Sequence, residues 1–308
     1  MSSKKRVLVA ETLEQAGIDL LRERFEVDVR ERTDEETLAK IISDYDALMI
    51  KTYTRVSRQV IDNAAKLKIV ARAGSGLDKV DLAYAKEKGL TVRNTPQANV
   101  VSVAELVFGL MLAVSRKLAA ADRYVRSGEG WDRDRFTGVE LAGKTLGIVG
   151  FGNIGKLVAK RALAFDMQVV GYDPFVDAAG MAEHGVRKVE TVDDVIDAAD
   201  YITVHVPLLD STRGLFSTAQ FARMKRNAIF INTARGEVVD EPALIAALKA
   251  GEIAGAGLDV YEAEPPNHPE LLTLDNVVLC PHIGAATREA LNRMTVQAAE
   301  RIIDALKG

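Results

Sequence analysis

Short apolar runs alternate with stretches of helical apolar spacing from the first residues onward. Val7–Ala10, Glu26–Val29, Ala47–Ile50, Ile69–Ala71 and Thr91–Val92 read as strands, and Leu13–Arg24, Glu35–Ile42, Arg58–Ala64 and Asp81–Lys88 as the helices between them. Strands that each lead into a helix predict a parallel sheet, because parallel neighbours need a long crossover. The greasy segment Val100–Arg126 predicts one long helix, and the charged Ser127–Glu140 an irregular connection. From Thr145 the alternation restarts, with strands at Thr145–Val149, Met167–Tyr172, Tyr201–Val206, Ala228–Ile231, Gly255–Leu258 and Val277–Leu279; Thr287–Leu306 then has helical periodicity. Two α/β units in series predict a cleft between them, the usual place for a ligand.

One junction in the second unit is more specific. Gly150-Phe-Gly-Asn-Ile-Gly155 lies between the Thr145–Val149 strand and a helical stretch, Lys156–Phe165, and the next strand ends at Asp173. Gly150 permits a tight turn, Gly152 lets a pyrophosphate approach the backbone, and Gly155 lets the helix pack closely on the strand. The helix N-terminus then solvates the phosphates. A carboxylate at Asp173 accepts from ribose hydroxyls and repels a 2′-phosphate. Its neighbours Tyr172, Pro174 and Phe175 offer no cation to pair one, so the expected dinucleotide is NAD rather than NADP.

Composition narrows the partners. The chain has 308 residues, 48% of them hydrophobic, and a net charge of −4, so neither nucleic acid nor an anionic membrane is expected to bind it. Met1-Ser-Ser-Lys-Lys-Arg6 runs into the first strand without the apolar core of a signal peptide, and Glu105 interrupts Val100–Leu118, which therefore reads as a buried helix rather than a membrane span. The single cysteine, Cys280, excludes an internal disulfide and suits a reducing compartment, with the cytoplasm expected; it reads as a small buried thiol without chemistry. No metal is called for.

Oxidising a hydroxy acid needs a cation for the carboxylate, a base for the hydroxyl proton, and a carboxylate that orients the base and stabilises its protonated form. Each has a candidate at a strand end of the second unit. Ile229–Gly236 reads as a strand ending in Arg235 followed by Gly, Gly257–Pro266 supplies Asp259, Glu262 and Glu264, and Val278–Thr287 carries His282. Of the other histidines, His184 lies in a charged helical stretch and His268 in a Pro-rich loop, both read as solvated, whereas His205, at a strand end, reads equally as lining the cofactor crevice or as catalytic; His282 is the best base.

Along essentially its whole length the sequence resembles the D-isomer-specific 2-hydroxyacid dehydrogenase family. The likeness rests on Gly150–Gly155, Asn232-Thr-Ala-Arg-Gly-Glu-Val-Val-Asp240, Leu258-Asp-Val-Tyr-Glu-Ala-Glu-Pro265 and Pro281-His-Ile-Gly-Ala-Ala-Thr287. It implies that Arg235 binds the substrate carboxylate and polarises the carbonyl, that His282 is the acid/base, and that Glu264 holds it. Formate dehydrogenases of the same superfamily carry Gln at the position of Glu264, which argues against that activity here. Cofactor contacts are implied at Gly150, Gly152, Asn153, Ile154, Gly155, Tyr172, Asp173, Pro174, His205, Val206, Pro207, Thr212, Thr233, Ala234, Arg235, Asp259, His282, Gly284 and Ala285. The expected fold is α/β, with two Rossmann-like or flavodoxin-like parallel-sheet domains: residues 1–98 with 285–308 as a substrate-binding lid, and 99–284 as the NAD-binding domain.

Within the family the chain most resembles the members that oxidise 3-phosphoglycerate on the way to serine, through Lys51–Ser57, Ala71–Asp81, Asn94–Asn99 and Trp131–Phe136. A phosphorylated substrate calls for positive charge beyond Arg235. Lys51 and Arg72 can supply it, with Gly74 and Ser75 as donors to the carboxylate, and Arg133 or Arg135 reaching across a homodimer interface. Such relatives often have Arg where Lys51 stands, and Lys binds phosphate as a point charge rather than a fork. Two alternatives share the motifs: a glyoxylate/hydroxypyruvate reductase or other D-2-hydroxyacid dehydrogenase, and an NAD-sensing, corepressor-like binding protein. A chain ending at Gly308 is expected to lack the appended regulatory domain of longer members and the extensions of the corepressors.

Overall fold

The computed structural model describes residues 4–307. They divide into two compact units, one running up to Val100 and resuming at Ala285, the other covering Val101–Gly284. The first unit opens with β1 (Arg6–Val9), α1 (Gln15–Arg22), β2 (Glu26–Val29), α2 (Glu35–Ile41), β3 (Ala47–Ile50), α3 (Arg58–Asp62), β4 (Ile69–Arg72), α4 (Leu82–Glu87) and β5 (Thr91–Arg93). The second contains α5 (Val100–Ser115), which begins at the boundary residue, then α6 (Leu118–Ser127), β6 (Thr145–Val149), α7 (Asn153–Ala164), β7 (Gln168–Tyr172), α8 (Ala178–Ala182), β8 (Arg187–Lys188) and α9 (Val192–Ala198). It continues through β9 (Tyr201–Val204), α10 (Thr218–Arg223), β10 (Ile229–Asn232), α11 (Glu241–Ala250), β11 (Gly255–Leu258) and β12 (Val277–Leu279); α12 (Arg288–Leu306) returns to the first unit.

In the first unit five parallel strands lie in the order β2-β1-β3-β4-β5. Strand periodicity sends Val7, Val9, Ala47, Met49, Ile69 and Ala71 to one face, where they meet Ile18 and Leu21 of α1 and Met294, Ala298 and Ile302 of α12. Leu8, Leu48, Ile50 and Val70 face the other way, onto Leu38, Val60 and Ile61. Gly17 of α1 is set against Thr295 of α12 so closely that a Cβ would lie 2.5 Å from Thr295 Cγ2. The last helix is thus a structural layer of the first unit. The sheet order reverses between β1 and β3.

Seven parallel strands in the order β12-β11-β10-β9-β6-β7-β8 form the second unit, with the reversal between β6 and β9. On one face Leu146, Ile148 and Ile231 pack against Val107, Leu110 and Met111 of α5 and Val158, Ala159 and Ala162 of α7. On the other, Phe230 meets Phe216 and Phe221 with ring centroids 4.9 and 5.5 Å away. Both crossover faces are covered, which is why these strands read as continuous apolar runs.

The segment expected as one helix over Val100–Arg126 is two. Lys117 adopts a left-handed conformation, φ 52°, between α5 and α6. In an unbroken helix the Ser115 carbonyl would accept from Ala119; instead it accepts the Val139 N–H at 3.1 Å, while the Ser115 hydroxyl pairs with buried Tyr201 at 2.8 Å. Tertiary contacts therefore end the helix where local pattern does not. α6 buries none of its residues, and Leu118, Val125, Trp131 and Val139 are exposed. The short elements α8, α9, α10 and β8 fall outside the strands and helices expected from the pattern. Among the described residues no helix is long and apolar enough to cross a membrane.

Candidate active site

The strand order of the second unit reverses beside β6, and open parallel sheets bind ligands at such a point, beyond the carboxyl ends of the strands. The glycine turn stands there. Gly150 has φ +96°, and a Cβ on it would lie 2.7 Å from the His205 carbonyl carbon. At Gly155 a Cβ would meet Gly150 O at 2.4 Å, whereas one at Gly152 meets nothing within 4 Å. The two outer glycines are needed for packing, and the middle one leaves the approach to the backbone open. Asn153 and Ile154 open α7, whose first amides have no intrahelical partner. Turn, open approach and helix end fit a pyrophosphate.

Asp173 ends β7 and turns back on this loop. Its Oδ2 accepts the Phe151 N–H at 2.8 Å and its Oδ1 accepts from Phe175 at 2.9 Å. Each oxygen keeps acceptor capacity for a ribose hydroxyl. Tyr172 and Pro174 flank it in sequence. His205 follows β9; its Nε2 lies 3.0 Å from Thr203 Oγ1, while Nδ1 is buried without a partner among the described residues. Burial pulls its pKa down to about 3, so the ring is neutral. Thr233 Oγ1 is likewise buried and unpaired. Val206, Pro207 and Thr212 form the adjoining turn, where the Thr212 hydroxyl donates to the Pro207 carbonyl at 2.6 Å. Orphaned polar atoms beside an open glycine loop suit a polar ligand such as a dinucleotide.

Arg235 lies past β10 on a turn built by Asn232, a buried residue that donates to the Arg235 carbonyl at 2.9 Å and accepts the Ala234 N–H at 3.0 Å. The Arg235 guanidinium is half-buried and donates to the Ala234 carbonyl. Gly236 follows because nothing larger fits: a Cβ there would be 1.9 Å from the Tyr261 carbonyl carbon. This contact, with the reciprocal pair in which Glu241 N donates to Glu262 Oε1 and Glu262 N to Glu241 Oε2, both at 3.1 Å, fastens the Arg235 turn to the loop after β11. That loop carries Glu264.

His282 Nδ1 and Glu264 Oε2 are 2.8 Å apart, with side chains 46% and 41% exposed. Burial pushes the Glu264 carboxyl up, but the hydrogen bond and charge of His282, with help from Arg235, hold it below its ordinary value. It remains an acceptor near neutral pH. His282 itself has φ +55°, an unusual backbone for a non-glycine residue. Asp259, fully buried, holds it there: its two oxygens accept the Ile283 and Gly284 N–H groups at 2.7 Å each. Burial raises the Asp259 carboxyl, with those amides opposing. Asp259, expected as a cofactor contact, thus also clamps the His282 turn. Ala285 is the first residue beyond that turn in the other unit.

In the first unit Lys51 follows β3 and Arg72 ends β4, and Arg72 Nε donates to the Lys51 carbonyl at 2.8 Å. Gly74 and Ser75, expected as donors to the carboxylate, have partners within the first unit. The Gly74 N–H donates to Thr95 Oγ1 at 2.9 Å, and the Ser75 hydroxyl to Asn99 Oδ1 at 2.8 Å. Arg135 lays its guanidinium over Tyr124 and Phe136 of its own chain, 5.5 and 5.7 Å from the ring centroids, while Arg133 is exposed. The histidines expected to be solvated are partly buried: His184 packs edge-on to Phe151, and His268 lies 3.9 Å from Glu241. Cys280 is half-buried, and burial raises its thiol pKa. Among the described residues no cluster of His, Cys, Asp or Glu could hold a metal ion.

Residues 108–284 match the family described as D-isomer specific 2-hydroxyacid dehydrogenase, NAD binding domain. A D-3-phosphoglycerate dehydrogenase of Methanocaldococcus jannaschii is 46% identical over 303 residues, 98% of this chain, which spans 58% of that relative's length. A hydroxypyruvate reductase of Thermotoga maritima is 44% identical over 308 residues, covering 99% of both chains. The TT0316 protein of Thermus thermophilus superposes with a TM-score of 0.89 at 37% identity, over 98% of this chain and 97% of its own.

Proposed function

The chain belongs to the D-isomer specific 2-hydroxyacid dehydrogenase family and carries its NAD-binding domain, and we propose that it oxidises D-3-phosphoglycerate to 3-phosphohydroxypyruvate, a step toward serine. The observation that carries the chemistry is the 2.8 Å contact between His282 Nδ1 and Glu264 Oε2. With Nδ1 protonated and donating to Glu264, His282 Nε2 is left as the base. It takes the substrate hydroxyl proton as hydride leaves C2, and the Glu264 carboxylate stabilises the imidazolium that forms. NAD, once bound, supplies the hydride acceptor. Arg235 holds the substrate carboxylate in a charge-assisted fork and draws electron density from the forming carbonyl. Asp173, facing the glycine loop without a neighbouring cation, favours NAD over NADP.

Lys51 and Arg72 are assigned to the substrate phosphate. Both stand at the carboxyl ends of adjacent strands and are tied through the Lys51 carbonyl. The exposed Leu118, Val125, Trp131 and Val139 around α6 support a homodimer, in which exposed Arg133, rather than ring-stacked Arg135, is the proposed contributor to a second subunit's site. A second reading, reduction of a short unphosphorylated 2-oxo acid such as hydroxypyruvate, is favoured by the Thermotoga maritima relative that matches over both full lengths. Lys51→Met separates the two while leaving the backbone hydrogen bonds in place. A charge-assisted contact is worth roughly 1.5–3 kcal/mol, so KM for the phosphorylated substrate should rise about 10- to 100-fold with D-glycerate unaffected. Equal KM values in variant and wild type would remove Lys51 from the phosphate site.

A further inference from the structure

Glu11 follows β1 and is 2% exposed. Its Oε1 accepts the N–H groups of Lys51 and Thr54, both at 2.9 Å, and its Oε2 those of Thr52 at 2.9 Å and Tyr53 at 3.0 Å. Four consecutive amides thus converge on one carboxylate and fill its four lone-pair sites. Converging backbone N–H groups of this kind form an anion nest. Its position is informative as well. The sheet order β2-β1-β3-β4-β5 reverses between β1 and β3, and Glu11 and the Lys51–Thr54 loop stand beyond the carboxyl ends of those two strands. In an open parallel sheet of this order, that is where an anionic ligand group binds.

We propose that Glu11 is a positioning residue for substrate recognition, an internal anion that occupies the switch-point nest of the first unit and fixes the Lys51 loop so that phosphate is met by side chains rather than by backbone amides. The arrangement has two consequences. No amide of the loop remains for an outside anion, so this unit does not take a nucleotide phosphate at its own switch point. The Lys51 backbone is held on both sides, its N–H by Glu11 and its carbonyl by Arg72 Nε at 2.8 Å, so the ammonium leaves a fixed base. Arg32, whose guanidinium lies 4.6 Å from the centroid of the exposed Tyr53 ring, braces the outer side of the loop.

The proposal rests on Lys51 meeting the substrate phosphate, and the test separates the two ideas. Full-length Glu11→Ala and Glu11→Gln are compared with wild type on 3-phospho-D-glycerate and D-glycerate, with and without sodium formate as a replacement carboxylate. Glu11→Ala should raise KM for the phosphorylated substrate at least about tenfold, leave its kcat within about threefold, and leave D-glycerate little changed. Formate should recover most of the lost KM. Glu11→Gln should do no better than Ala, because its NH₂ faces amide donors. Equal KM losses on both substrates, or a Gln variant with wild-type KM, would overturn the proposal. Should the variants fail to fold, amide exchange on the wild-type enzyme decides: the Lys51–Thr54 amides should be protected, and exchange at the rate of open loops would overturn it. A wild-type enzyme inactive on 3-phospho-D-glycerate would instead sink the substrate reading, while exchange at these four amides still tests the nest.

Discussion

Replacing Asp259 with Asn changes no volume and removes one charge at the base of the His282 turn. Asp259 accepts the Ile283 and Gly284 amides at 2.7 Å with two separate oxygens, out of contact with solvent. Asn has one carbonyl oxygen, so one amide would face an NH₂ group and lose its acceptor. Hydrogen bonds to a charged group contribute roughly 1.5–3 kcal/mol, and a buried donor left unsatisfied costs a similar amount. His282 is meanwhile held at φ +55°, a conformation that costs on the order of 1–3 kcal/mol for a non-glycine residue. Weakening the clamp lets that strain relax, which withdraws the ring from Glu264. The ratio of clamped to open forms of the turn should fall by about 10- to 100-fold, and kcat falls as far as open forms become populated. Steady-state rates at saturating NAD and substrate measure the first effect, and a denaturant midpoint shift corresponding to about 2 kcal/mol measures the second. Wild-type kcat together with a wild-type midpoint would refute the assignment of Asp259 as the clamp.

Other outcomes are expected. Gly236→Ala places a Cβ 1.9 Å from the Tyr261 carbonyl carbon, so the Arg235 and Glu264 loops must separate; activity should fall at least about 100-fold at unchanged secondary structure, and an active variant would show that the loops need not meet. Asp173→Ala should narrow the ratio of kcat/KM for NAD over NADP; an unchanged ratio would place the selectivity elsewhere. Asp200 is held below its ordinary pKa: burial raises it, and the Thr145 N–H at 2.9 Å and Lys225 at 3.1 Å more than compensate. A carboxylate whose folded pKa is depressed adds stability above its unfolded pKa, about 3.9, and loses it as pH falls through the folded value. Asp200→Asn should therefore lower denaturant stability at pH 7 and flatten its dependence on pH below about 4; parallel wild-type and variant curves would argue against this.

Much of the fold was legible because its signals are local. Apart from the two-residue β8, the strands of both sheets are runs of three to five residues, the central ones fully buried, and the longer helices between them show apolar spacing. Gly150, Gly152, Gly155 and Asp173 could be read from spacing alone, since turn, helix start and second strand are all encoded within one βαβ unit. Arg235, Glu264 and His282 were visible as chemistry-bearing residues at successive strand ends, where a parallel sheet gathers what is distant in sequence. What escaped is non-local. The break at Lys117 depends on Val139 taking the Ser115 carbonyl, and the clamp role of Asp259 on amides more than twenty residues away. Glu11 gave no signal, because a glutamate just past the end of an apolar strand looks solvated until the loop some forty residues later folds over it. The partners of Gly74 and Ser75, Thr95 and Asn99, are likewise some twenty residues away and show only in the folded loop.

The proposed substrate class is a phosphorylated D-2-hydroxy acid. It is tested most directly by initial rates of the wild-type enzyme with NAD on 3-phospho-D-glycerate and on D-glycerate, side by side. If Lys51 and Arg72 each contribute one charge-assisted contact to the phosphate, kcat/KM should favour the phosphorylated acid by at least about 100-fold. Equal or better turnover of D-glycerate, or faster reduction of hydroxypyruvate than of 3-phosphohydroxypyruvate in the reverse direction, would contradict the account and assign the enzyme to short unphosphorylated acids.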